Sequence, residues 1–301
     1  MKSSSNNQIR YLKRNYQGYL LMIPYLAVFI IFTVYPVITS VVLSFTTYNV
    51  FQSPIFIGFD NYVQLFFTDS IFPTAMQNTF LIAIVVGPLS YFLSLFLAWM
   101  VNEFENPWRT LLTVIFYAPT LSNSVFTIWM IVFDGDIYGF LNSFLLKLGF
   151  IEDPIQWRTN PQYMMMVVIV VQLWVSLGTS FLTLRAGFNT VDRQYYEAAA
   201  IDGIKNRFQE LWFITLPMMA PHLMLSAVLA ITNTFTSANV ATVMTGFPSV
   251  NYATHTIMHH LQDYGTIRYE RGYASAIATV LFLFSLLFNK FAQKLISRIG
   301  K

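Results

Sequence analysis

The side chains of this chain that could bind a polar ligand are amides and hydroxyls inside long apolar stretches. Such groups are costly in lipid, so inside a membrane they usually face an interior cavity. The alternative is that they only form hydrogen bonds between neighbouring helices. The candidates are Asn78, Ser122, Asn123, Gln172, Asn233, Thr234, Ser237 and Asn239.

Other reactive or metal-binding patterns are weak. The chain has no cysteine, which excludes disulfides, thiol nucleophiles and Cys-ligated metals. His255 and His259 have the spacing of one helix face, but no carboxylate stands at ligand spacing, so we expect both, with His260, in an interfacial loop. The pair Gly300-Lys301 lacks the rest of an ATP-binding loop. We therefore expect no metal, no cofactor and no catalytic residue in this chain.

A charged loop, residues 189–217, interrupts the apolar pattern. Glu197–Ile201 favours a helix, and its alanines leave room for the surface of another protein to approach closely. Asp202-Gly203 is a helix stop, because glycine adopts the left-handed conformation after a helix without strain.

The second half of the charged loop predicts another short helix. Phe208, Leu211 and Trp212 recur at helical spacing and would give it one apolar face. Pro217 fits the first turn of the apolar segment that follows, where its missing N–H costs nothing.

The composition is typical of a membrane protein. Of 301 residues, 55% are hydrophobic and 10% are charged, whereas about 25% of residues in soluble domains are charged. A membrane helix needs about 20 mostly apolar residues, and unpaired backbone groups are too costly in the bilayer for other structures. Six segments qualify: Gly18–Phe45, Met76–Val101, Trp108–Phe133, Tyr163–Phe188, Met218–Thr245 and Gly272–Phe291.

Lysine and arginine predict the orientation. They are frequent in the N-terminal tail (residues 1–17) and near the C-terminal tail (residues 292–301), while the loop Tyr48–Ala75 has none. The positive-inside rule then places both termini and the charged loop in the cytoplasm. Residues 18–291 form one membrane domain, and we read the first apolar run as an uncleaved span rather than a signal peptide.

The charged loop also carries a resemblance. Glu197-Ala198-Ala199, then Asp202-Gly203, then Ile214-Thr215-Leu216-Pro217 resembles the EAA loop of permeases of ATP-binding-cassette (ABC) importers. Ten residues separate Gly203 and Ile214, one more than we expect in that family, which leaves the register of the second short helix open. The resemblance covers nearly the whole chain, and further motifs similar to those of carbohydrate-importer permeases are Asn106-Pro107-Trp108-Arg109-Thr110, Leu184-Arg185-Ala186-Gly187-Phe188 and Val243-Met244-Thr245-Gly246.

The resemblance implies an all-α integral membrane protein with six transmembrane helices, the type I importer permease fold and a cytoplasmic coupling-helix loop. It implies a bacterial cell-membrane subunit that moves a carbohydrate delivered by an extracytoplasmic binding protein, either a lipoprotein or a periplasmic protein. The first span is similar to that of the larger-type subunit, which implies a second, non-identical permease. Two ATPase subunits would dock at the charged loop and bind the ATP and Mg. No nucleic acid is expected as a partner.

The resemblance also narrows the substrate path. In the related maltose importer the fifth span contributes to a mid-membrane sugar site, which favours Asn233, Ser237 and Gln172. Trp174 joins them, because carbohydrate sites combine aromatic platforms with amides. Asn233 and Asn239 lie six residues apart in the fifth span, so their faces differ by more than half a turn. We therefore expect that they do not both point straight into one narrow pore.

Two other classes of function are alternatives. An ion-gradient-driven secondary transporter needs an intramembrane acid or base as a relay, and no Asp, Glu, Lys or Arg lies well inside any predicted span. Arg185, near the end of its span, can extend to the interface. A membrane-embedded enzyme would need convergent histidines or carboxylates within the spans, and these are missing too.

Overall fold

Long apolar helices form the body of the chain. The computed structural model describes residues 16–120 and 125–296. Within these ranges the helices α1 to α15 are Tyr16–Phe29, Tyr35–Leu43, Asp60–Val63, Phe72–Glu103, Trp108–Tyr117, Phe126–Val132, Phe140–Lys147, Pro161–Phe188, Arg193–Ile201, Arg207–Glu210, Leu216–Met218, Ala220–Thr236, Asn239–Thr245, Ile257–Gln262 and Arg271–Ile296.

Short irregular turns connect several of these helices. A π-helical turn, Ile30–Val34, joins α1 to α2, and Leu211–Thr215 joins α10 to α11 in the same way. Two short antiparallel strands, Thr46–Thr47 and Ile55–Phe56, pair after α2. The remaining turns are Gln64–Thr68, Ala118–Thr120, Val250–Tyr252 and Asp263–Ile267.

Helices α4 and α8 pack closely at the centre of the bundle. The buried side of α4 is rich in small residues, including Ala83, Gly87, Ser90, Ser94 and Ala98. Small side chains let two helix backbones approach, which is how helices associate where lipid supplies no hydrophobic driving force. The Ser94 hydroxyl also donates to the Leu177 carbonyl on α8 at 3.1 Å.

The first helix has a different environment. The apolar run Leu20–Leu43 is long enough to cross a membrane, yet none of its most apolar window is buried within the chain. Its later part, α2, packs against α15. Most of its apolar surface is therefore available to lipid or to another subunit.

Four of the six predicted spans are single helices long and apolar enough to cross a membrane: Leu20–Leu43, Phe72–Glu103, Pro161–Phe188 and Arg271–Ile296. The predicted third span, Trp108–Phe133, is instead divided between the shorter helices α5 and α6, with residues 121–124 outside the described part.

The predicted fifth span, Met218–Thr245, was wrong as one continuous helix. Helix α12 begins at Ala220, after a bend, and ends at Thr236; α13 begins only at Asn239. Pro217 consequently lies in α11, before the bend, and not in the first turn of the long helix.

A buried network closes the end of the bundle opposite to the charged loop. Asp69 Oδ2 lies 2.8 Å from His260 Nε2 and accepts a hydrogen bond from the Tyr273 hydroxyl at 2.8 Å. Asp69 Oδ1 accepts from the backbone N–H groups at the start of α4. His255, His259 and His260 are all buried within the protein, between the last two long helices, and the expectation that they lie in an interfacial loop stays a prediction. The described residues contain no group of three potential ligands arranged to hold a metal.

Candidate docking loop and polar cavity

The first helix of the charged loop, α9, has a defined start and end. The Asp192 side chain accepts a hydrogen bond from the Gln194 N–H and caps the first turn. At the other end Gly203 has φ +92°. The Gly203 N–H donates to the Ala200 carbonyl, and the Ile204 N–H to the Ala199 carbonyl. This pair of bonds is a Schellman motif, so the predicted glycine stop is confirmed.

One side of α9 is open to solvent. Among the described residues, Glu197 forms an ion pair with Arg193 on the same helix, Nε to Oε1 at 3.2 Å, and both side chains are mostly exposed. Ala198 is exposed, whereas Ala199 is buried. Ile201 is 87% exposed, an unusual position for a large apolar side chain at a helix end. Sequence reasoning overlooked Ile201, although it directly follows the alanine run.

The second half of the charged loop is a longer helix than expected. Asn206 caps it by accepting from the Gln209 N–H at 2.8 Å. It begins at Arg207 and runs through a π-helical turn to Met218. The extra residue after Gly203 left open where the second helix begins, and in the structure it begins at Arg207.

The predicted single apolar face of this second helix was wrong. Leu211 and Leu216 are buried, and Ile214 and Pro217 are partly buried. The aromatic side chains on its other side are exposed: Phe208, Trp212 and Phe213. Exposed aromatic residues on an amphipathic helix are typical of a membrane–water interface.

Side-chain contacts join the two helices to each other and to the bundle. The Tyr196 hydroxyl lies 2.8 Å from the Thr215 hydroxyl. Arg207 lies 2.8 Å from Glu210 and 3.4 Å from Glu103, the last residue of α4. Leu211 and Leu216 join a core cluster that includes residues of α4, α8 and α12. The charged loop therefore packs against three long helices of the bundle.

The path to α12 passes through a sharp bend. The axes of Arg207–Met218 and Ala220–Thr236 differ by 81°. The bend packs tightly against the end of α8: a Cβ at Gly187 would lie 2.8 Å from His222 Cβ and 2.9 Å from Met219 Cε. Such close packing leaves little room for the bend to move independently of α8.

A polar cavity of about 290 Å³ lies between α8, α12 and α13. The Ser237 hydroxyl donates to Gln172 Oε1 at 3.0 Å, and Gln172 Nε2 donates to the Ser176 hydroxyl at 3.1 Å. Asn233 Nδ2 donates to the Thr179 hydroxyl at 3.3 Å. The wall residues are Pro119, Thr120, Phe126, Gln172, Val175, Ser176, Thr179, Asn233, Thr236, Ser237, Asn239 and Val240.

The break after Thr236 explains the shape of this cavity. Asn233 and Asn239 both line it, so the expectation that they face apart was wrong, because it assumed a continuous helix. Interrupted backbone is tolerated at membrane depth where it lines a cavity. Trp174 is not among the wall residues and packs against Trp129, with 5.5 Å between ring centroids. Asn123 lies outside the described residues.

Comparison with known proteins places the chain in a family. The sequence model of the family described as binding-protein-dependent transport system inner membrane component matches residues 90–301. The chain belongs to this family. The resemblance of the chain to ABC importer permeases is thereby confirmed, and the chain is a multi-pass, mostly helical membrane component of this transport family.

Individual members of the transport family are similar over most of the chain. The probable ABC transporter permease protein YesP of Bacillus subtilis (strain 168) is 31% identical over 275 residues, covering 89% of this chain and 86% of YesP. The lactose transport system permease protein LacF of Rhizobium radiobacter is 31% identical over 221 residues, covering 72% of each chain.

Two solved structures share the fold. One is a bacterial ABC transporter that imports the acidic polysaccharide alginate, with a TM-score of 0.76, 23% identity, and coverage of 98% of this chain and 100% of that chain. The other is a bacterial alginate ABC transporter in complex with an alginate pentasaccharide-bound periplasmic protein, with a TM-score of 0.75, 22% identity, and coverage of 97% and 98%.

Proposed function

We propose that this chain is the permease subunit of an ATP-driven importer that moves a carbohydrate delivered by an extracytoplasmic binding protein. The observation that carries the proposal is the connection between two features: an exposed helical loop, and a bent helix that leads from it to a polar cavity. The similarity to a lactose transport permease supports carbohydrate as the substrate class.

The proposed topology has six spans, with both termini and the charged loop in the cytoplasm. The asymmetry of Lys and Arg supports this orientation. The divided segment α5–α6 would count as the third span, and α12 with α13 as the fifth. Because the chain contains no cysteine, single cysteines at Ser4 or Ser297 would test the orientation: labelling from outside intact cells would contradict it.

The proposed partners follow from what the chain exposes. Two ATPase subunits would bind ATP and Mg and receive the charged loop of each permease. A second, non-identical permease would cover apolar surface such as that of the first helix, which the chain leaves exposed. The similarity to an alginate transporter solved with its periplasmic protein supports a binding protein as the delivery partner.

In this mechanism the chain supplies the loop that is moved by the ATPase and the cavity through which the substrate passes, and it performs no covalent chemistry. ATP binding would close the two ATPase subunits and pull the charged loop. The loop would move α12 through the bend at Met219 and shift α4 and α8 through their shared core cluster. The cavity between α8, α12 and α13 would then open alternately to each side. Its amide and hydroxyl groups suit a polyhydroxyl ligand, with Gln172, Asn233, Ser237 and Asn239 as the substrate-path residues.

The docking residues are proposed to be Glu197 and Ala198 on the first helix and Asp202 and Gly203 directly after it. The buried Ala199 would position the first helix, and Ile214, Leu216 and Pro217 would position the second. Glu197→Lys tests this role, because it reverses the charge that a basic ATPase surface would meet. Breaking one side of an ion pair buried in an interface costs roughly 3–5 kcal/mol, which weakens docking by about two to three and a half orders of magnitude.

The test measures membrane level, copurification of the ATPase and sugar uptake in the same cells. Glu197→Lys should reach the membrane normally and lose both copurification and uptake, while Asn6→Ala should retain both. Wild-type uptake with Glu197→Lys would show that the loop is an ordinary connector. Uptake by the purified chain alone in liposomes under an ion gradient would favour the secondary-transporter alternative.

A further inference from the structure

A second cavity lies under the charged loop, about 460 Å³ in volume, and the proposed transport mechanism does not use it. It is an open cleft lined by the end of α4, the start of α5, the end of α8 and both helices of the charged loop. Its wall residues are mostly polar or charged: Trp99, Asn102, Glu103, Arg109, Phe188, Asn189, Val191, Arg193, Tyr196, Arg207, Glu210, Leu211 and Thr215.

Among the described residues, Arg109 in the wall of this cavity and Arg185 behind the wall have no counter-ion. In the described part of the chain neither Arg109 nor Arg185 lies within ion-pair distance of a carboxylate. Arg109 Nε and Nη2 donate to the carbonyls of Phe104 and Asn102. Arg185 Nη1 donates to Asn189 Oδ1 at 2.7 Å and to Asn102 Oδ1 at 3.4 Å. The two guanidiniums thus flank Asn102, and their charges repel each other.

Arg185 is the more unusual of the pair. The residue is only 9% exposed, and its buried Nε has no hydrogen-bond partner in the part of the chain that the structure describes. Buried charges are normally paired, because an uncompensated charge away from water is costly. Both amides that hold Arg185 are wall residues of the cavity, so the buried cation sits directly behind that wall.

The wall carboxylates are already engaged elsewhere. Arg207 contacts both Glu103 and Glu210, and Arg193 contacts Glu197 outside the cavity. The cavity therefore carries excess positive charge that no described side chain neutralises. Guanidinium groups bind phosphate oxygens in a forked geometry that lysine cannot reproduce.

We propose that this cavity binds a phosphate ester, with its phosphate group beside Arg109 and the Asn102–Arg185–Asn189 cluster. The volume exceeds what a phosphate ion fills, and Trp99 and Tyr196 add aromatic surface for the rest of the ligand. The ester can be a soluble sugar phosphate or a lipid headgroup. A bound ester would bridge α5 to the charged loop at Arg193, and would therefore slow ATP-driven transport; this last consequence rests on the proposed function.

The test measures binding to the chain, with its copurifying subunits, in phosphatidylcholine nanodiscs. Calorimetry compares glucose 6-phosphate, inorganic phosphate and glucose, and a parallel melting experiment adds phosphatidylglycerol to the nanodiscs. We expect glucose 6-phosphate to bind at least tenfold more tightly than glucose. Arg109→Gln and Arg185→Gln should each weaken binding at least tenfold. Lys205→Gln removes the same charge from the loop outside the cavity wall and should leave binding unchanged.

Arg193→Gln keeps the test decisive if Arg185→Gln does not fold, because the Arg193 side chain is 90% exposed. It should weaken binding several-fold without changing the melting temperature. Stabilisation by phosphatidylglycerol that Arg109→Gln abolishes, without glucose 6-phosphate binding, would support the site and assign the phosphate to lipid. If glucose 6-phosphate does not bind and phosphatidylglycerol does not stabilise the protein, the proposal is overturned. This result is expected if a carboxylate of a partner subunit fills the cavity. So would binding that Arg109→Gln leaves unchanged.

Discussion

Ile201 offers a quantitative test of the docking surface. Its side chain is 87% exposed, so Ile201→Ala removes almost no packing from the chain itself. If the ATPase buries this side chain, the substitution removes three carbon groups from the interface, at about 0.8 kcal/mol each. The resulting loss of about 2.4 kcal/mol corresponds to roughly 50-fold weaker docking, since about 1.4 kcal/mol is tenfold.

The assay titrates the ATPase onto the permease in nanodiscs and measures the dissociation constant. Ile201→Ala should raise it by the stated factor while the melting temperature of the free permease stays unchanged, as expected for an exposed position. Ile137→Ala is the matched control, because Ile137 is also exposed but lies between α6 and α7. An unchanged dissociation constant for Ile201→Ala would refute the reasoning that this face of α9 enters the ATPase.

Three further predictions concern the glycine stop, the buried histidines and the polar cavity. Gly203→Val places a β-branched side chain at φ +92°, at a cost of at least about 1–2 kcal/mol; it should uncouple ATP hydrolysis from uptake, whereas Gly149→Val, at φ +71° in another loop, should not. Burial, with the charges of neighbouring histidines, lowers the pKa of His255 to about 3, and burial lowers the pKa of His259 to about 4, both from 6.5. Between pH about 4 and pH about 6.5 the unfolded chain therefore binds more protons than the folded chain, so the melting temperature should fall as the pH drops through this range. A constant melting temperature over this range would contradict the burial of the two histidines. Gln172→Leu removes both hydrogen bonds of that side chain in the cavity and should raise the KM for sugar at least tenfold with basal ATP hydrolysis unchanged; an unchanged KM would show that Gln172 is only a helix–helix contact.

The sequence determined the features that depend on local residue pattern. Apolar runs of sufficient length predict membrane helices, because the bilayer leaves no other way to satisfy the backbone, and four of these runs are long single helices in the structure. Gly203 was predictable as a helix stop because the requirement for positive φ is local. The motif around Glu197 indicated the family, which the match over residues 90–301 confirms.

Predictions from hydrophobic periodicity alone were wrong for the second helix of the charged loop and for the fifth span. The second helix of the charged loop has buried and exposed apolar sides, because Leu211 and Leu216 fit the core while Phe208 and Trp212 stay outside. The apolar pattern of Met218–Thr245 does not mark the break after Thr236, which lies beside the Gln172–Ser237 contact with α8. The bend at Met219 does have a local mark, because Pro221 stands in the first turn of α12 and proline favours a helix start. The bend also packs against α8 at Gly187.

Only the tertiary structure decided which distant residues share a site. Asn233 and Asn239 line one cavity because the break in the helix changes the face that the second residue presents. Asp69, His260 and Tyr273 meet across separations of 191 and 204 residues, and Arg109 and Arg185 meet at Asn102. The sequence specifies the chemistry of each of these side chains, but the distances between them follow from how the helices that carry them pack together, which no local pattern encodes.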